Sequence, residues 1–527
     1  MKKQKPTGRY PEIITPKESH AILSRVDYDP YRLMPNSLRE GPRVLYSEDD
    51  LARMRTFIKR GGWPRRAFDS LIDSCRAKPA IPDRLPRTPV GADNEAIATI
   101  AEQHALALHL SGDRKYFAPA RQALRLLAQS YEQWPIVHGT RAEPKQDLSE
   151  SFLIMSFAST YDLLHAAGGL TDADHRLFHR FMAACIDTMR AGEHSGCGNH
   201  NLGTLTGRLA AALTIDDRQT IHDVLYGVED RGVWRYGLVH TLRHDILADG
   251  LHWERSFGYH CYILSVLADL ADMFTRNGVD LWHTLLPALN QNDGTDIHRA
   301  YGPSGARCIK AAFDAPLYLA FAGGDLAMIH DTSMSNLREA HWRITYNLAY
   351  DVYRDERYAW LINHFETSRE PRKRPGLPIF LQQHRGSCDF VRLRTVEYPA
   401  VKMDYGRDAQ FAQTGIHAGR CSLFPVHGTA VLRSKRGPGA TILWGPHSAG
   451  HQDPAALHVD LHTGSGRITD GVIVASYGES LHLDWCRTTI AHNTVTVDEQ
   501  AMVPYDRPTE SPWECDHWRD TITDGTL

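Results

Sequence analysis

Three short segments contain most of the side chains that could do chemistry. They are residues 197–201 (CGNHN), 249–260 (DGLHWERSFGYH) and 445–453 (GPHSAGHQD). Together they supply a carboxamide, several imidazoles and a phenol, all uncharged or nearly so at neutral pH. Such a set suits an anionic substrate, because a carboxylate must be neutralised while a carbon-bound proton is removed.

The first segment places Asn199-His200 after three glycines and before a run of leucines at helical spacing. Glycine lets the backbone and its neighbours approach a ligand closely, and a helix N-terminus favours an anion. A plainer interpretation makes Asn199 an N-cap and His200 a surface residue. Taken alone, the segment fits the plainer interpretation better.

The second segment leads into a predicted helix that contains Glu254, Tyr259 and Tyr262, and the two tyrosines share a face. Tyrosines at helical spacing are common in protein cores, so either could be a core residue. Trp253 could stack on a sugar ring or equally belong to the core.

The third segment places His447, His451 and Asp453 in a glycine-flanked loop, and Asp470 and His492 follow later. Histidine and aspartate together suit zinc or another divalent ion, but these spacings alone indicate a metal only weakly. The sequence contains no HExxH, GxSxG or P-loop motif. Metalloprotease, serine hydrolase and NTPase chemistry therefore have little support.

The composition is that of a globular protein with more than one domain. The 527 residues exceed one typical core, and the net charge of −4 argues against a general nucleic-acid binder. Nine cysteines without CxxC spacing indicate reduced thiols. Neither a signal peptide nor a membrane span is visible. We therefore expect a cytoplasmic protein, although a trimmed chain would look the same, and the oligomeric state is not predicted.

The elements that must position these residues fall into two regions. Residues 1–40 read as an N-terminal arm and 41–365 as paired helices, either a bundle or an α/α toroid. A charged, proline-broken linker at 366–377 precedes an antiparallel sheet domain at 378–527. This domain ends abruptly at Leu527, so we expect the sheet to be incomplete. Its predicted strands include 429–432, 440–444 and 493–497.

Local signals define several helix boundaries. Ser47 is expected to cap a helix with Asp50 at its third position, and Thr171 to cap another. Glycines are expected to end the helices before Gly112 and Gly168.

The order of these phrases resembles that of the heparinase II/III-like polysaccharide lyases, which include alginate and heparin lyases. The matching stretches are 161–164 (YDLL), 198–200 (GNH), 249–262, 445–451 and 487–495 (RTTIAHNTV). The resemblance covers about residues 45–500. It implies an α/α toroid followed by an antiparallel β-sandwich, with the active site between them.

The resemblance also implies roles for individual residues. Asn199 would neutralise a uronate carboxylate, His200 would be a base or carboxylate ligand, Tyr259 the catalytic tyrosine and His451 the histidine that completes the site. The candidate substrate-binding residues are Trp253, Glu254, Arg208 and His447.

No organic cofactor is expected, but a structural divalent ion, zinc or calcium, is implied. Asp470 and His492 match metal ligands of the family, whereas Asp453 stands where many relatives have histidine. The implied metal site is therefore Asp453, Asp470 and His492, with its occupancy in doubt.

The implied activity is β-elimination in a 4-linked uronate sugar of the alginate or heparin type, by exo action on oligosaccharides. Its partner would be an anionic oligo- or polysaccharide, with no nucleic acid and no membrane. Two alternatives remain open. One is a glycoside hydrolase using Asp249 and Glu254 as paired carboxylates, and the other is a non-catalytic protein that binds acidic sugars.

Overall fold

A computed structural model describes the chain between residues 33 and 502 and leaves out several segments within that range. These segments are 78–80, 138, 143–146, 192–197, 231–232, 248, 285, 287–306, 322–324, 327–329, 333–339, 356, 360, 363–421, 425–426, 435–437, 445–450, 452, 454, 464–465, 470–479 and 501. Residues 1–32 of the expected arm and the whole expected linker therefore lie outside the described residues, as do parts of the sheet domain.

The region predicted to be helical forms helices throughout its described part, with one short hairpin of strands β1 (Gly227–Asp230) and β2 (Val233–Tyr236). The helices are α1 (Glu48–Arg60), α2 (Trp63–Arg76), α3 (Gly91–Ser111), α4 (Phe117–Tyr131), α5 (Asp147–Ala167), α6 (Asp172–Ala191), α7 (Asn199–Ile215), α8 (Arg218–Tyr226), α9 (Leu238–His244), α10 (Phe257–Arg276), α11 (Ile309–Leu319) and α12 (Ala340–Tyr353).

The predicted helix boundaries are confirmed by their capping bonds. The Ser47 hydroxyl accepts from the Asp50 backbone N–H, while the Asp50 carboxylate accepts from the Ser47 N–H, which is a complete capping box. Thr171 makes the same exchange with Asp174 at the start of α6. At the C-terminal end of α3, Gly112 adopts the left-handed conformation expected of a C-terminal glycine.

The helices form two layers. Helices α3, α5, α7, α10 and α12 contact one another in succession, and α2, α4, α6, α8 and α11 pack against this row. The inner helices are buried nearly all round, since every residue of α5 from Leu148 to Leu164 is buried except Ser156. The outer helix α4 instead buries one stripe of residues. This is the layering of an α/α toroid, as predicted.

Helices α5 and α7 approach each other very closely. A Cβ atom at Gly207 would lie 2.6 Å from the Ser151 carbonyl oxygen, so only glycine fits there. The Ser151 hydroxyl donates to the Gly203 carbonyl at 2.8 Å and accepts from the Gly207 N–H at 2.8 Å. This packing brings the N-terminal ends of α5 and α7 together.

The described residues of the C-terminal region contain a five-stranded antiparallel sheet in the order β3-β4-β5-β6-β7. The strands are β3 (Ser422–Phe424), β4 (Thr429–Arg433), β5 (Gly439–Leu443), β6 (Val459–Thr463) and β7 (Gly466–Arg467). Residues alternate between the two faces, so Phe424 is buried while Leu423 is exposed. The predicted antiparallel sheet domain after the helices is therefore confirmed.

The sheet is joined to the helical layers by buried polar contacts. The backbone N–H of His427 donates to Asp249 at 2.8 Å, and His427 Nε2 lies 3.1 Å from the Arg255 carbonyl oxygen. Arg433 donates to the Ala320 carbonyl at 2.8 Å. These contacts fix the sheet beside the segment that precedes α10.

The strand predicted at 493–497 is wrong. These residues lie outside every strand of the described chain, and the Val495 and Val497 side chains are 64% and 70% exposed. The segment follows a short 3-10 helix, and the Asn493 N–H donates to the His458 ring at 3.1 Å. A β-branched pattern is not sufficient to form a strand, because a strand also needs a partner to pair with, and the pairing here is limited to an isolated bridge between Val497 and Gln500.

No helix in the described part of the chain is long and apolar enough to cross a lipid bilayer.

Candidate active site

The N-terminus of α7 contains the first predicted catalytic pair. Gly198 is the N-cap, with a φ of +128° that favours glycine, and Asn199 is the first helical residue. A Cβ atom at Gly198 would lie 2.7 Å from Glu254 Oε1. The glycine is therefore required both for the turn and for the approach of Glu254 to Asn199.

Glu254 holds the Asn199 side chain in one orientation. The carboxylate accepts from the Asn199 backbone N–H at 3.2 Å, and both carboxylate oxygens lie 3.0 Å from Asn199 Nδ2. Burial raises the pKa of Glu254, while the nearby His451 charge and the bonds from Asn199 oppose that rise. Because the carboxylate can only accept from an N–H, the amide is oriented with its donor nitrogen toward Glu254.

His200, the second residue of α7, pairs with a carboxylate on the neighbouring helix. Its Nδ1 lies 2.7 Å from Asp147 Oδ1, and the His200 side chain is 22% exposed. Asp147 is the first residue of α5. Sequence reasoning missed Asp147, although an acidic residue directly before the apolar run of α5 could have drawn attention to it.

The sheet domain contributes His451 to the same place. Its Nε2 lies 3.5 Å from Asn199 Nδ2, and its ring stacks on the Tyr259 ring with centroids 3.6 Å apart. His451 Nδ1 lies 3.2 Å from Asp331 Oδ2, and the Asp331 backbone N–H donates to the His451 carbonyl at 3.1 Å. Asn199, Tyr259 and His451, predicted from separate segments, therefore converge.

Ser256 links the tyrosine to the histidine. It is the N-cap of α10, where its hydroxyl accepts from the Tyr259 backbone N–H at 3.4 Å and donates to the Asp331 carbonyl at 2.6 Å. The same short segment thus holds both Tyr259 and the residue that orients His451. Asp331 is a second residue that sequence reasoning missed, because no motif contains it.

The predicted substrate-binding residues differ in burial and in their distance from the site. Trp253 and Arg208 are only 2% and 3% exposed, which fits core positions better than contact with a sugar. Arg208 is nine residues along α7 from Asn199, or about 14 Å along the helix axis. Glu254 acts on Asn199, as described above, and it precedes α10 instead of lying on it as predicted, because Ser256 caps the helix. His447 lies outside the described residues.

The predicted metal ligands form an incomplete group. Asp453 Oδ2 lies 3.8 Å from His492 Nε2, but that nitrogen also lies 3.1 Å from the Cys486 carbonyl, to which it must donate. No group of three candidate ligands occurs among the described residues, and Asp470 lies outside them. The metal site at Asp453, Asp470 and His492 therefore stays a prediction, and no catalytic step is assigned to it.

His260 lies beneath the site as a neutral, fully bonded imidazole. Its Nδ1 accepts from the His252 backbone N–H at 3.2 Å, and its Nε2 donates to the Ala312 carbonyl at 3.1 Å. Burial lowers the pKa of His260 to about 4. A charged imidazole would lose the bond from His252, so acid should destabilise this part of the fold.

We expect this destabilisation to appear as pH falls from about 6.5, the pKa in the unfolded chain, to about 4. As the pH falls, the unfolded chain binds this proton before the folded protein does. The free energy of unfolding therefore keeps its full value above about pH 6.5 and falls by up to about 3 kcal/mol as the pH approaches 4. His260→Gln keeps one acceptor and one donor without titrating, and should flatten the loss in denaturant unfolding. The exposed His283→Gln is the control, and equal pH slopes in all three proteins would contradict the assignment.

Residues 88–302 match the family model described as alginate lyase. The matched segment runs from α3 past α10 and includes Asn199, His200 and Tyr259. The match confirms the resemblance to alginate lyases, which are polysaccharide lyases, for this part of the chain. Among curated protein sequences, none matches.

Solved structures of the same class are similar to the chain at low identity. A heparinase III structure is 14% identical, covering 76% of this chain and 54% of that one, with a TM-score of 0.47. Another heparinase III structure covers 92% of this chain and 68% of its own, also at 14% identity and 0.47. An alginate lyase from Bacteroides ovatus is 13% identical, covering 62% of this chain and 97% of that one, with a TM-score of 0.45. The chain thus spans about half the length of the first heparinase III.

Proposed function

We propose that this protein is a polysaccharide lyase that cleaves a 4-linked uronate sugar by β-elimination. The observation that carries the proposal is the convergence of an oriented amide, a phenol and an imidazole from separate parts of the chain. Asn199 Nδ2 and His451 Nε2 are 3.5 Å apart, and the Tyr259 and His451 rings are stacked. The match of residues 88–302 to the alginate lyase family supports the same class of reaction.

The reaction needs only groups that this site can supply. A base removes the proton from C5 of the uronate, and the electron pair left behind forms the C4–C5 double bond. The bond from C4 to the glycosidic oxygen breaks, and an acid protonates that oxygen as it leaves. No water, oxidant or reductant is consumed, so the cleaved sugar ends in an unsaturated uronate.

Asn199 would stabilise the charge that develops on the substrate carboxylate. Loss of the C5 proton makes the carboxylate group dianionic. The Asn199 amide nitrogen carries two hydrogens, and the one that is not bonded to Glu254 would stabilise that state more than the ground state. Glu254 holds the amide in place before the substrate arrives, so little reorganisation is needed. The N-terminus of α7 adds a favourable dipole for an anion.

Tyr259 and His200 are the candidates for proton transfer. Tyr259 could serve as the acid and, if its phenol is locally ionised, as the base as well. His200 is the other candidate base, because an imidazole ordinarily titrates near neutral pH. One residue suffices when both groups leave from the same face of the sugar, and two are required when they leave from opposite faces.

The hydrolase alternative receives less support from the contacts of its two carboxylates. Both Glu254 oxygens accept from Asn199, and Asp249 accepts from the His427 backbone N–H. Each carboxylate therefore already has a bonding role within the fold. A raised pKa at Glu254 would nevertheless suit a general acid, so the alternative is included as an outcome of the test below.

The substrate and mode of action belong to the proposal. We propose alginate or a heparin-type glycosaminoglycan as the substrate class, with exo action on oligosaccharides. Each of these polymers contains the uronate that the reaction requires.

The test is incubation with alginate, heparosan, heparin, hyaluronan and glucuronan while ultraviolet absorbance and reducing ends are both followed. Rising absorbance from a new C4–C5 double bond is expected on at least one polymer, and it would identify the substrate class. New reducing ends without that absorbance, lost in Glu254→Gln but kept in Tyr259→Phe, would indicate hydrolysis instead. Binding without any product would support a non-catalytic role.

A further inference from the structure

We propose that Asp147 is a positioning residue that fixes the tautomer of His200, with the ring proton on Nδ1 and the lone pair that takes the C5 proton on Nε2. This inference rests on the proposed lyase function and deepens it, because it assigns the base. Asp147 lies outside all the motifs that carry the family resemblance. It is brought to His200 by the packing of α5 against α7.

The contact determines which nitrogen of the ring carries the proton. His200 Nδ1 lies 2.7 Å from Asp147 Oδ1, a length typical of a charge-assisted hydrogen bond. A carboxylate can only accept, so the hydrogen must be on Nδ1. In a neutral imidazole the other nitrogen, Nε2, then has the lone pair and can act as a base.

Asp147 is itself well held for this role. It is the first residue of α5, where the helix dipole favours a negative charge, and its side chain is only 11% exposed. The Leu148 backbone N–H donates to the same oxygen at 2.9 Å. The glycine-mediated contact of α5 with α7 leaves little room for the two helix ends to move apart.

Other ionisable groups act on the pair from neighbouring elements. Glu254, in the segment before α10, interacts electrostatically with His200, and Tyr262 on α10 interacts with Asp147. Two carboxylates therefore act on His200, and removing Asp147 alone leaves Glu254 in place.

The contact with Asp147 also stabilises the product of the first proton transfer. When His200 takes the C5 proton at Nε2, the resulting imidazolium is stabilised by the Asp147 carboxylate through the bond that already exists. Tyr259 is then left to protonate the departing glycosidic oxygen. The two proton transfers are thus divided between residues on α7 and α10.

The test is Asp147→Asn, measured on the full chain with the best uronate polymer. We expect kcat to fall roughly 100- to 10,000-fold, because asparagine can stabilise the wrong tautomer, while KM changes little. The carboxylate raises the pKa of a charged imidazole beside it, so its removal lowers that pKa. The acidic limb of the kcat/KM profile should therefore move to lower pH by about one unit.

A merely structural role of Asp147 would lower activity without moving the acidic limb of the kcat/KM profile. Asp49→Asn is the matched control, since Asp49 is also an acidic residue in the first turn of a helix, but its side chain is 86% exposed. Asp49→Asn should change neither kcat nor the profile. Asp147→Glu, which keeps the charge, should recover part of the activity.

Nitrogen NMR of the His200 ring provides a readout that does not need turnover. The wild-type ring should carry its proton on Nδ1, and Asp147→Asn should move part of the population to the other tautomer. An unchanged ring signal, or an active variant with an unmoved acidic limb, would overturn the role of Asp147 while leaving the lyase function standing. Conversely, a wild-type protein that forms no unsaturated product on any uronate polymer would remove the proposed function and the base role with it.

Discussion

Tyr259→Phe is expected to abolish turnover while leaving substrate affinity largely intact. Proton transfer by a positioned side chain contributes roughly 100- to 10,000-fold to rate, and this variant removes the phenolic proton. The phenylalanine ring can still stack on His451, whose centroid is 3.6 Å from that of Tyr259. The loss should therefore report on the hydroxyl group alone, measured as kcat beside the dissociation constant of an oligosaccharide.

A second tyrosine provides the control for this variant. Tyr116 is buried in the 3-10 helix before α4, in a part of the fold that contributes no residue to the site. Tyr116→Phe should keep full activity. Full activity in Tyr259→Phe would remove the assignment of Tyr259, and inactivity in both variants would indicate a general sensitivity of the fold.

Asn199→Ala is expected to lower kcat by about 100- to 1,000-fold, which corresponds to the loss of one donor aimed at a developing oxyanion. KM should change far less, because the bond from Asn199 strengthens as the substrate carboxylate gains charge. Steady-state kinetics over a range of substrate concentrations would separate the two parameters. An effect on KM alone would make Asn199 a binding residue only.

The same variant removes the side-chain donor from the buried Glu254 carboxylate, which keeps only the backbone N–H of residue 199 from this partner, so stability must be measured beside activity. Asn201→Ala is the matched control in the same helical turn, because Asn201 is also buried but donates to the Tyr236 carbonyl at 2.9 Å. The Asn201→Ala substitution should lower the melting temperature without a comparable fall in kcat. If both variants lose activity in proportion to stability, the catalytic role of Asn199 is not supported.

Both predictions concern residues that lie within sequence motifs, whereas the partners that support these residues lie outside the motifs. The motifs contain Asn199, Tyr259 and His451 because the chemistry needs those side chains. Asp147 and Asp331 are ordinary acidic residues in sequence, and only proximity gives them a role. His451 and Asp331 are 120 residues apart in the chain and 3.2 Å apart in space.

Trp253 is a residue within a motif whose role could not be predicted from the sequence. An aromatic residue beside a catalytic motif fits a sugar platform and a core position equally well in sequence. The structure leaves it 2% exposed, with its ring 3.8 Å from the position that a Cβ at Gly198 would take. Its neighbours decide its role, and they come from a distant part of the chain.

Local features were readable from the chain alone because each depends on a few adjacent residues. The capping boxes at Ser47 and Thr171, the helical run after Asn199 and the strands β4 and β5 are of this kind. The prediction for 493–497 failed because strand formation depends on a partner strand, which propensity does not supply. The pairing of Asp147 with His200 required the packing of α5 on α7. Short-range sequence patterns determine the individual helices and strands, whereas contacts between residues distant in sequence arise only when those elements pack together.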